Sequence, residues 1–124
     1  MNIALWIVAG VLAAAFAAAG LMKLAQPRAK LVASGMGWAE DSSDAGVKAI
    51  GAVELLGAIG LILPPLVDIA PVLAPIAATG LALTMAGAIV VHLRRGEGPG
   101  AVPAVVLLLA SAFVAWGRFG PHSF

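Results

Sequence analysis

The chain alternates between long apolar runs and short polar segments. Four apolar runs cover residues 3–22, 45–63, 71–93 and 101–116. At a rise of 1.5 Å per residue, a helix of about 20 residues crosses the roughly 30 Å hydrocarbon core of a bilayer. The pattern therefore predicts an all-α fold, an integral membrane four-helix bundle in which residues 1–124 form a single membrane domain.

Prolines, glycines and charges separate the runs. Pro64 and Pro65 follow the second run, and proline lacks an amide hydrogen and clashes with the preceding turn, so we expect the second helix to end before them. Arg94 and Arg95 follow the third run, and the "GEGPG" segment after them is typical of a turn. The first run could instead be a cleaved signal peptide, but no Lys or Arg precedes it, which favours a retained span.

The longest segment outside the runs covers residues 24–45. Within it, Pro27 suits the start of a helix and Gly35 suits its end. We expect a short interfacial helix in this first loop, with its basic residues toward the lipid headgroups; a solvated loop with one buried Trp is the alternative. The apolar residues of the segment include Leu31, Val32 and Trp38.

Composition agrees with a lipid environment. Hydrophobic residues make up 62% of the chain and charged residues 10%, with a mean hydropathy of +1.08. A typical soluble domain is about 25% charged. A soluble domain of this size could not bury as much apolar surface as this chain has. The chain has no Cys, which excludes disulfides, thiolate metal sites and thiol redox chemistry. The net charge of +1 and the lack of a basic face predict no nucleic-acid partner, and leave the lipid bilayer as the expected one.

The few charges are unevenly distributed between the two ends of the predicted bundle. Arg118 is the only basic residue at one end, and Trp6 and Trp116 would lie at that same end, as an aromatic belt requires. Cytoplasmic loops are rich in Lys and Arg, so we expect a multi-pass protein of the cell inner (plasma) membrane with both termini outside the cytoplasm. The other end carries six basic residues: Lys23, Arg28, Lys30, Lys48, Arg94 and Arg95.

One carboxylate, Glu54, lies inside the second apolar run. It is roughly 12 Å into the span at 1.5 Å per residue, and small residues one turn away predict that it faces the bundle interior. An unpaired charge at that depth costs about 2.5–3.5 kcal/mol, so we expect Glu54 to pair with Lys23, with His92 nearby. These three residues form a candidate intramembrane ligand or proton site. The alternative is that Glu54 only holds helices together.

Small residues recur along the second and third runs and predict close helix packing. No pair of His residues has the spacing of a helical metal motif, so we expect no metal site. We find no motif of acyl transfer or nucleotide binding either, and expect no catalytic residues. The predicted packing residues are Gly51, Gly57, Gly60, Gly80 and Thr84.

Three segments carry a family resemblance: "GLMKLAQP", "KAIGAVELLGAIGLILP" and "AATGLALTMAGAIVVHLRRGE". Their order and spacing resemble those of the DoxX-like family of small four-helix membrane proteins. The resemblance implies the four-helix bundle and a link to membrane redox or oxidative-stress complexes, some of which act on quinones. Residues that fall where the family's recurring residues would lie are Lys23, Gly51, Glu54, Gly60, Pro64, Gly80, His92 and Arg94.

Three classes of function remain open at this point. The resemblance favours a non-catalytic accessory or anchor subunit of a membrane oxidoreductase, with a quinone as the one cofactor it suggests. A small proton-coupled transporter of lipophilic or cationic molecules could use Glu54 as its carboxylate. An assembly or lipid-interaction protein would need no small-molecule site. The small-residue stripes also suggest a homo-oligomer or a partner subunit packed on an outer helical face.

Overall fold

The structure is a computed structural model, and its described residues contain four α-helices that are each long and apolar enough to cross a membrane. The predicted fold class is confirmed. The predicted interfacial helix lies outside the described residues, which are 2–26, 30, 44–96, 98–99 and 101–123. The helices are α1 (Asn2–Ala25), α2 (Asp44–Leu66), α3 (Leu73–Arg94) and α4 (Ala101–Phe119).

The expected end of α2 before its two prolines is wrong. Pro64 and Pro65 lie inside the helix, which continues to Leu66. The fixed φ of proline is compatible with a helix. In the last turn, the missing amide hydrogens of the two prolines leave only a few carbonyls without a helical donor. Residues after the helix also donate hydrogen bonds to this last turn. The Val67 amide donates to the Leu63 carbonyl at 3.0 Å, and the Ile69 amide donates to the Pro64 carbonyl at 3.0 Å.

Consecutive helices pack beside each other, and α1 also contacts α4, so the four helices close into a ring. The interior is filled by apolar side chains from every helix, among them Leu12 and Phe16 of α1, Leu61 of α2, Leu81 of α3 and Val114 of α4. Many large apolar side chains point outward instead, which is expected where lipid rather than water surrounds the bundle.

Two glycines bring α1 and α2 into backbone contact. A Cβ atom at Gly20 would lie 2.7 Å from the Gly51 carbonyl oxygen and 2.9 Å from the Leu55 nitrogen. A Cβ atom at Gly51 would in turn lie 2.9 Å from the Gly20 carbonyl oxygen. Real Cβ atoms do not approach other atoms this closely, so any side chain at either position would push the two helices apart.

The other predicted packing residues behave differently from one another. A Cβ at Gly57 would lie 2.6 Å from a methyl carbon of Leu81, and one at Gly60 would lie 3.0 Å from the Ala77 Cβ. Both glycines therefore bring α2 close to α3. Gly80 is exposed, and no described atom lies within 4 Å of a Cβ built there. The helix turns this position outward, and the packing role of Gly80 stays a prediction.

Arg118 joins α1 to α4 at one end of the bundle. Its guanidinium donates to Asn2 Oδ1 at 2.7 Å and to the His122 carbonyl at 3.0 Å, and it lies 5.7 Å from the centre of the Trp6 ring. We call this end, which carries Asn2 and Ser123, the terminal end. The opposite end, which carries Lys23, Lys48, Arg94 and Arg95, is the basic end.

We predict that Gly20→Ala lowers the stability of the bundle, whereas Gly10→Ala on the same helix does not. The methyl group at position 20 meets backbone atoms of α2, and overpacking of this kind costs about 1–3 kcal/mol. At Gly10, no described atom lies within 4 Å of the added methyl group, and alanine is the better helix former. Thermal unfolding in detergent compares the two variants; equal midpoints would contradict the close contact between α1 and α2.

Candidate functional site

An ion pair between α1 and α2 lies inside the bundle. Lys23 Nζ donates to Glu54 Oε1 at 2.5 Å, and both side chains are buried. The structure thus brings together the two residues that the cost of an unpaired intramembrane charge predicts to pair.

The direction of the two helices explains how these side chains meet. Side chains on a helix lean toward its N-terminus, and α1 and α2 run in opposite directions. The Lys23 side chain therefore leans away from the basic end, while the Glu54 side chain leans toward it. The close contact at Gly51 sets the separation, since a Cβ there would lie 2.8 Å from the Lys23 Cβ. The lysine stem thus runs over a position that has no side chain.

Lys48 does not join this pair. Its Nζ donates to the Leu24 carbonyl at 3.0 Å, near the C-terminus of α1, and the residue is exposed. Lysine commonly binds the free carbonyls of a helix end in this way. The sequence also placed Lys48 away from Glu54, because six residues of helix separate the two by about 120°.

A cavity of about 580 Å³ adjoins the ion pair, with walls from all four helices. His92 lines it together with Lys23 and Glu54, so the three residues of the predicted cluster face one space. On α3, Thr84 and His92 both line the cavity, and two turns of helix place them about 12 Å apart. The remaining lining residues are Ala19, Ile50, Leu83, Met85, Gly87, Ala88, Val91, Pro103, Ala104 and Leu107.

Thr84, one of the predicted packing residues, also lines the cavity. Its hydroxyl donates to the Gly80 carbonyl at 2.9 Å, so it is satisfied within its own helix while its side chain lines the cavity. Most of the cavity wall is apolar, and the sequence indicated its polar cluster but not these apolar walls. Residues such as Met85, Ala104 and Leu107 carry no signal that separates a cavity wall from a packed core.

The arrangement offers hydrogen-bond donors and an acceptor at the side of an apolar space. Lysine ammonium is a donor, carboxylate is an acceptor, and neutral histidine is both. Within the described ranges of the chain, no group of three or more His, Cys, Asp and Glu residues could hold a metal ion. The ammonium, carboxylate and imidazole of the cluster can bind polar groups and exchange protons.

The fold and the buried pair define a class of protein: a small four-helix membrane protein with an intramembrane charge pair beside a cavity. The DoxX-like family model matches residues 7–114, and the chain belongs to this family. It is accordingly a multi-pass membrane protein whose environment is a lipid bilayer. Comparisons with curated proteins and with solved structures gave no match.

We predict that removing one partner of the ion pair destabilises the bundle more than removing both. Lys23→Met or Glu54→Leu leaves an uncompensated buried charge, and breaking a buried pair costs about 3–5 kcal/mol, whereas replacing the whole pair by apolar residues is often nearly neutral. Thermal unfolding in detergent of the two single variants and the double variant forms a double-mutant cycle.

Lys48→Met is the matched control, because this exposed lysine hydrogen-bonds the Leu24 carbonyl and its replacement should cost about 1 kcal/mol or less. Strictly additive losses in the double variant would show that the two side chains do not stabilise each other.

Proposed function

We propose that this DoxX-like protein is a non-catalytic accessory subunit of a membrane redox complex and that it holds a quinone-type ligand in the cavity beside Lys23, Glu54 and His92. The observation that carries the proposal is the juxtaposition of these three side chains with an otherwise mostly apolar space of about 580 Å³. Ligand pockets in proteins have about this size, with apolar walls and few polar groups.

The polar groups match the chemistry of a quinone headgroup. A quinone presents two carbonyl oxygens that accept hydrogen bonds, which the ammonium of Lys23 and the imidazole of His92 can donate. A quinol presents hydroxyl groups instead, and the Glu54 carboxylate can accept from one of them. The apolar walls from α3 and α4 suit the ring and the start of the tail.

The chain itself lacks one common group of redox residues, because it has no Cys. In this proposal the electron-carrying groups belong to a partner oxidoreductase, and this chain contributes a binding place for the lipid-soluble carrier. The large apolar side chains on the outside of the bundle are available to lipid, to such a partner or to a second copy. Membership of the DoxX-like family supports the proposal only through the link to membrane redox complexes that the family resemblance implies.

We predict that the protein binds a short-tailed quinone, such as decyl-ubiquinone or decyl-menaquinone, and that Lys23→Met weakens binding about tenfold or more, equivalent to about 1.4 kcal/mol. Glu54→Gln tests the proton separately, because it keeps the shape and a hydrogen-bonding group. Calorimetric titration in detergent measures affinity, and Lys48→Met is the control outside the cavity.

Purification in mild detergent adds the test of a partner. A co-purifying oxidoreductase and bound quinone support the accessory role. Failure of wild-type protein to bind any quinone, with no oxidoreductase recovered, would leave an assembly or lipid-interaction role.

A proton-coupled transporter is the second candidate, favoured by one observation: a buried carboxylate faces a cavity inside a membrane protein. The ion pair weighs against it, since the Lys23 ammonium 2.5 Å from the carboxylate opposes binding of a second cation there. Uptake of a lipophilic cation by proteoliposomes under a pH gradient, abolished by Glu54→Gln, would favour the transporter instead.

For orientation, we infer that the basic end faces the cytoplasm of a cell with this protein in its plasma membrane, and that both termini face outward. The six basic residues toward one end support this under the positive-inside rule. Arg118, the one basic residue toward the other end, is buried against Asn2 and Trp6.

We predict that Ser123→Cys reacts with a membrane-impermeant thiol reagent added to intact cells, whereas Gly96→Cys reacts only after the membrane is permeabilised. Both positions are exposed at opposite ends of the bundle, and the native chain has no Cys to add background. If Gly96→Cys reacts in intact cells and Ser123→Cys does not, the inferred orientation is wrong and the basic end faces outward.

A further inference from the structure

The two helical pairs, α1 with α2 and α3 with α4, meet closely toward the terminal end of the bundle. On one side, Gly57 and Gly60 of α2 lie against Leu81 and Ala77 of α3. On the other side, Leu5 of α1 lies against Gly117 of α4, and Arg118 donates to Asn2. All these contacts lie on the terminal side of Glu54.

Toward the basic end, the cavity lies between the same helices. Two turns of helix, or about seven residues, lead from Gly57 to Ile50 on α2 and from Leu81 to Ala88 on α3. Ile50 and Ala88 both line the cavity. The two pairs are therefore in contact in one half of the bundle and separated by a cavity in the other.

The α1 and α4 helices follow the same course. Four turns, or about 14 residues, lead from Leu5 to Ala19 and from Gly117 to Pro103. Ala19 and Pro103 also line the cavity.

The cavity reaches the outer surface of the bundle between α2 and α3. Leu83 and Val91 of α3 line the cavity and are nevertheless 70% and 40% exposed. Gly87, one turn from each, also lines it, is exposed and has no described atom within 4 Å of a Cβ built there. We call this opening, formed by Ile50 of α2 and by Leu83, Gly87 and Val91 of α3, the α2–α3 opening.

We propose that the ligand is a membrane-dissolved amphiphile that enters sideways from the bilayer through the α2–α3 opening, head first. The exposed side of the opening is apolar and lies on a membrane-spanning helix, so it faces lipid tails rather than water. The polar head then reaches Lys23 and Glu54, while the apolar tail stays in the opening beside Gly87. This inference rests on the proposed function and adds to it the requirement for a tail and the route of entry.

Gly87 offers a direct test. Gly87→Trp adds a large side chain at the opening, and no described atom lies within 4 Å of a Cβ built at this position. Gly10→Trp is the matched control, because Gly10 is also exposed and open but does not line the cavity. The probe is decyl-ubiquinone or decyl-menaquinone, whichever the wild-type protein binds more tightly, with affinity and association rate measured in detergent.

We expect Gly87→Trp to weaken binding at least tenfold and Gly10→Trp to bind like the wild type. Wild-type affinity and a wild-type association rate in Gly87→Trp would overturn the entry route while leaving the proposed binding function intact. No binding by the wild-type protein would overturn both. Thermal unfolding of each variant accompanies the titration.

A reversible bridge tests the route without a bulky residue. Ile50→Cys with Val91→Cys, joined by a bifunctional thiosulfonate reagent, closes the α2–α3 opening, and the same double variant before the reagent is added is the reference. We expect the bridge to slow binding at least tenfold relative to this reference, and reductant to restore the rate. An association rate that the bridge leaves unchanged would overturn the proposal.

Discussion

The ion pair between Lys23 and Glu54 is the constraint on which the arrangement of the helices depends. Neither charge is stable alone in a hydrocarbon environment, so the two side chains must meet, and they lie on different helices. Their meeting requires a close approach of α1 and α2 near Gly20 and Gly51, where backbone atoms of the two helices touch. The glycines are therefore needed for the buried charges to pair, because they allow α1 and α2 to approach closely.

The contact between α2 and α3 is close at one end of the bundle and loose at the other. Between α2 and α3, the close contacts at Gly57 and Gly60 lie toward the terminal end, and near the basic end the seam widens into the cavity. Lipid offers no hydrophobic force that would collapse such a space, because apolar side chains are as well solvated by tails as by one another. A cavity on the membrane side of a bundle is therefore less costly to keep than a similar cavity in a soluble core.

The sequence predicted the features for which the alternatives would be energetically costly in a bilayer. Four spans followed from length and hydropathy, and the pairing of Glu54 with Lys23 followed from the cost of an unpaired charge. Helix ends were less predictable. Proline disrupts a helix mainly in its interior, and Pro64 and Pro65 lie in the last turn of α2. The amides of Val67 and Ile69, beyond the helix, donate to carbonyls of that turn. Gly20 and Gly80 look alike in sequence, yet only Gly20 touches a neighbouring helix, because the rotation of each helix is set by packing.

The apolar walls of the cavity could not be predicted, because ordinary apolar residues form them. The charges of the polar cluster have a consequence for what the cavity can bind. A free carboxylate would favour a cation, whereas a carboxylate already paired with an ammonium presents a nearly neutral, strongly polar surface. Such a surface favours a neutral molecule with carbonyl or hydroxyl groups, which gains hydrogen bonds without adding net charge to the membrane interior. His92 strengthens this preference, since an imidazole can donate to a carbonyl or accept from a hydroxyl.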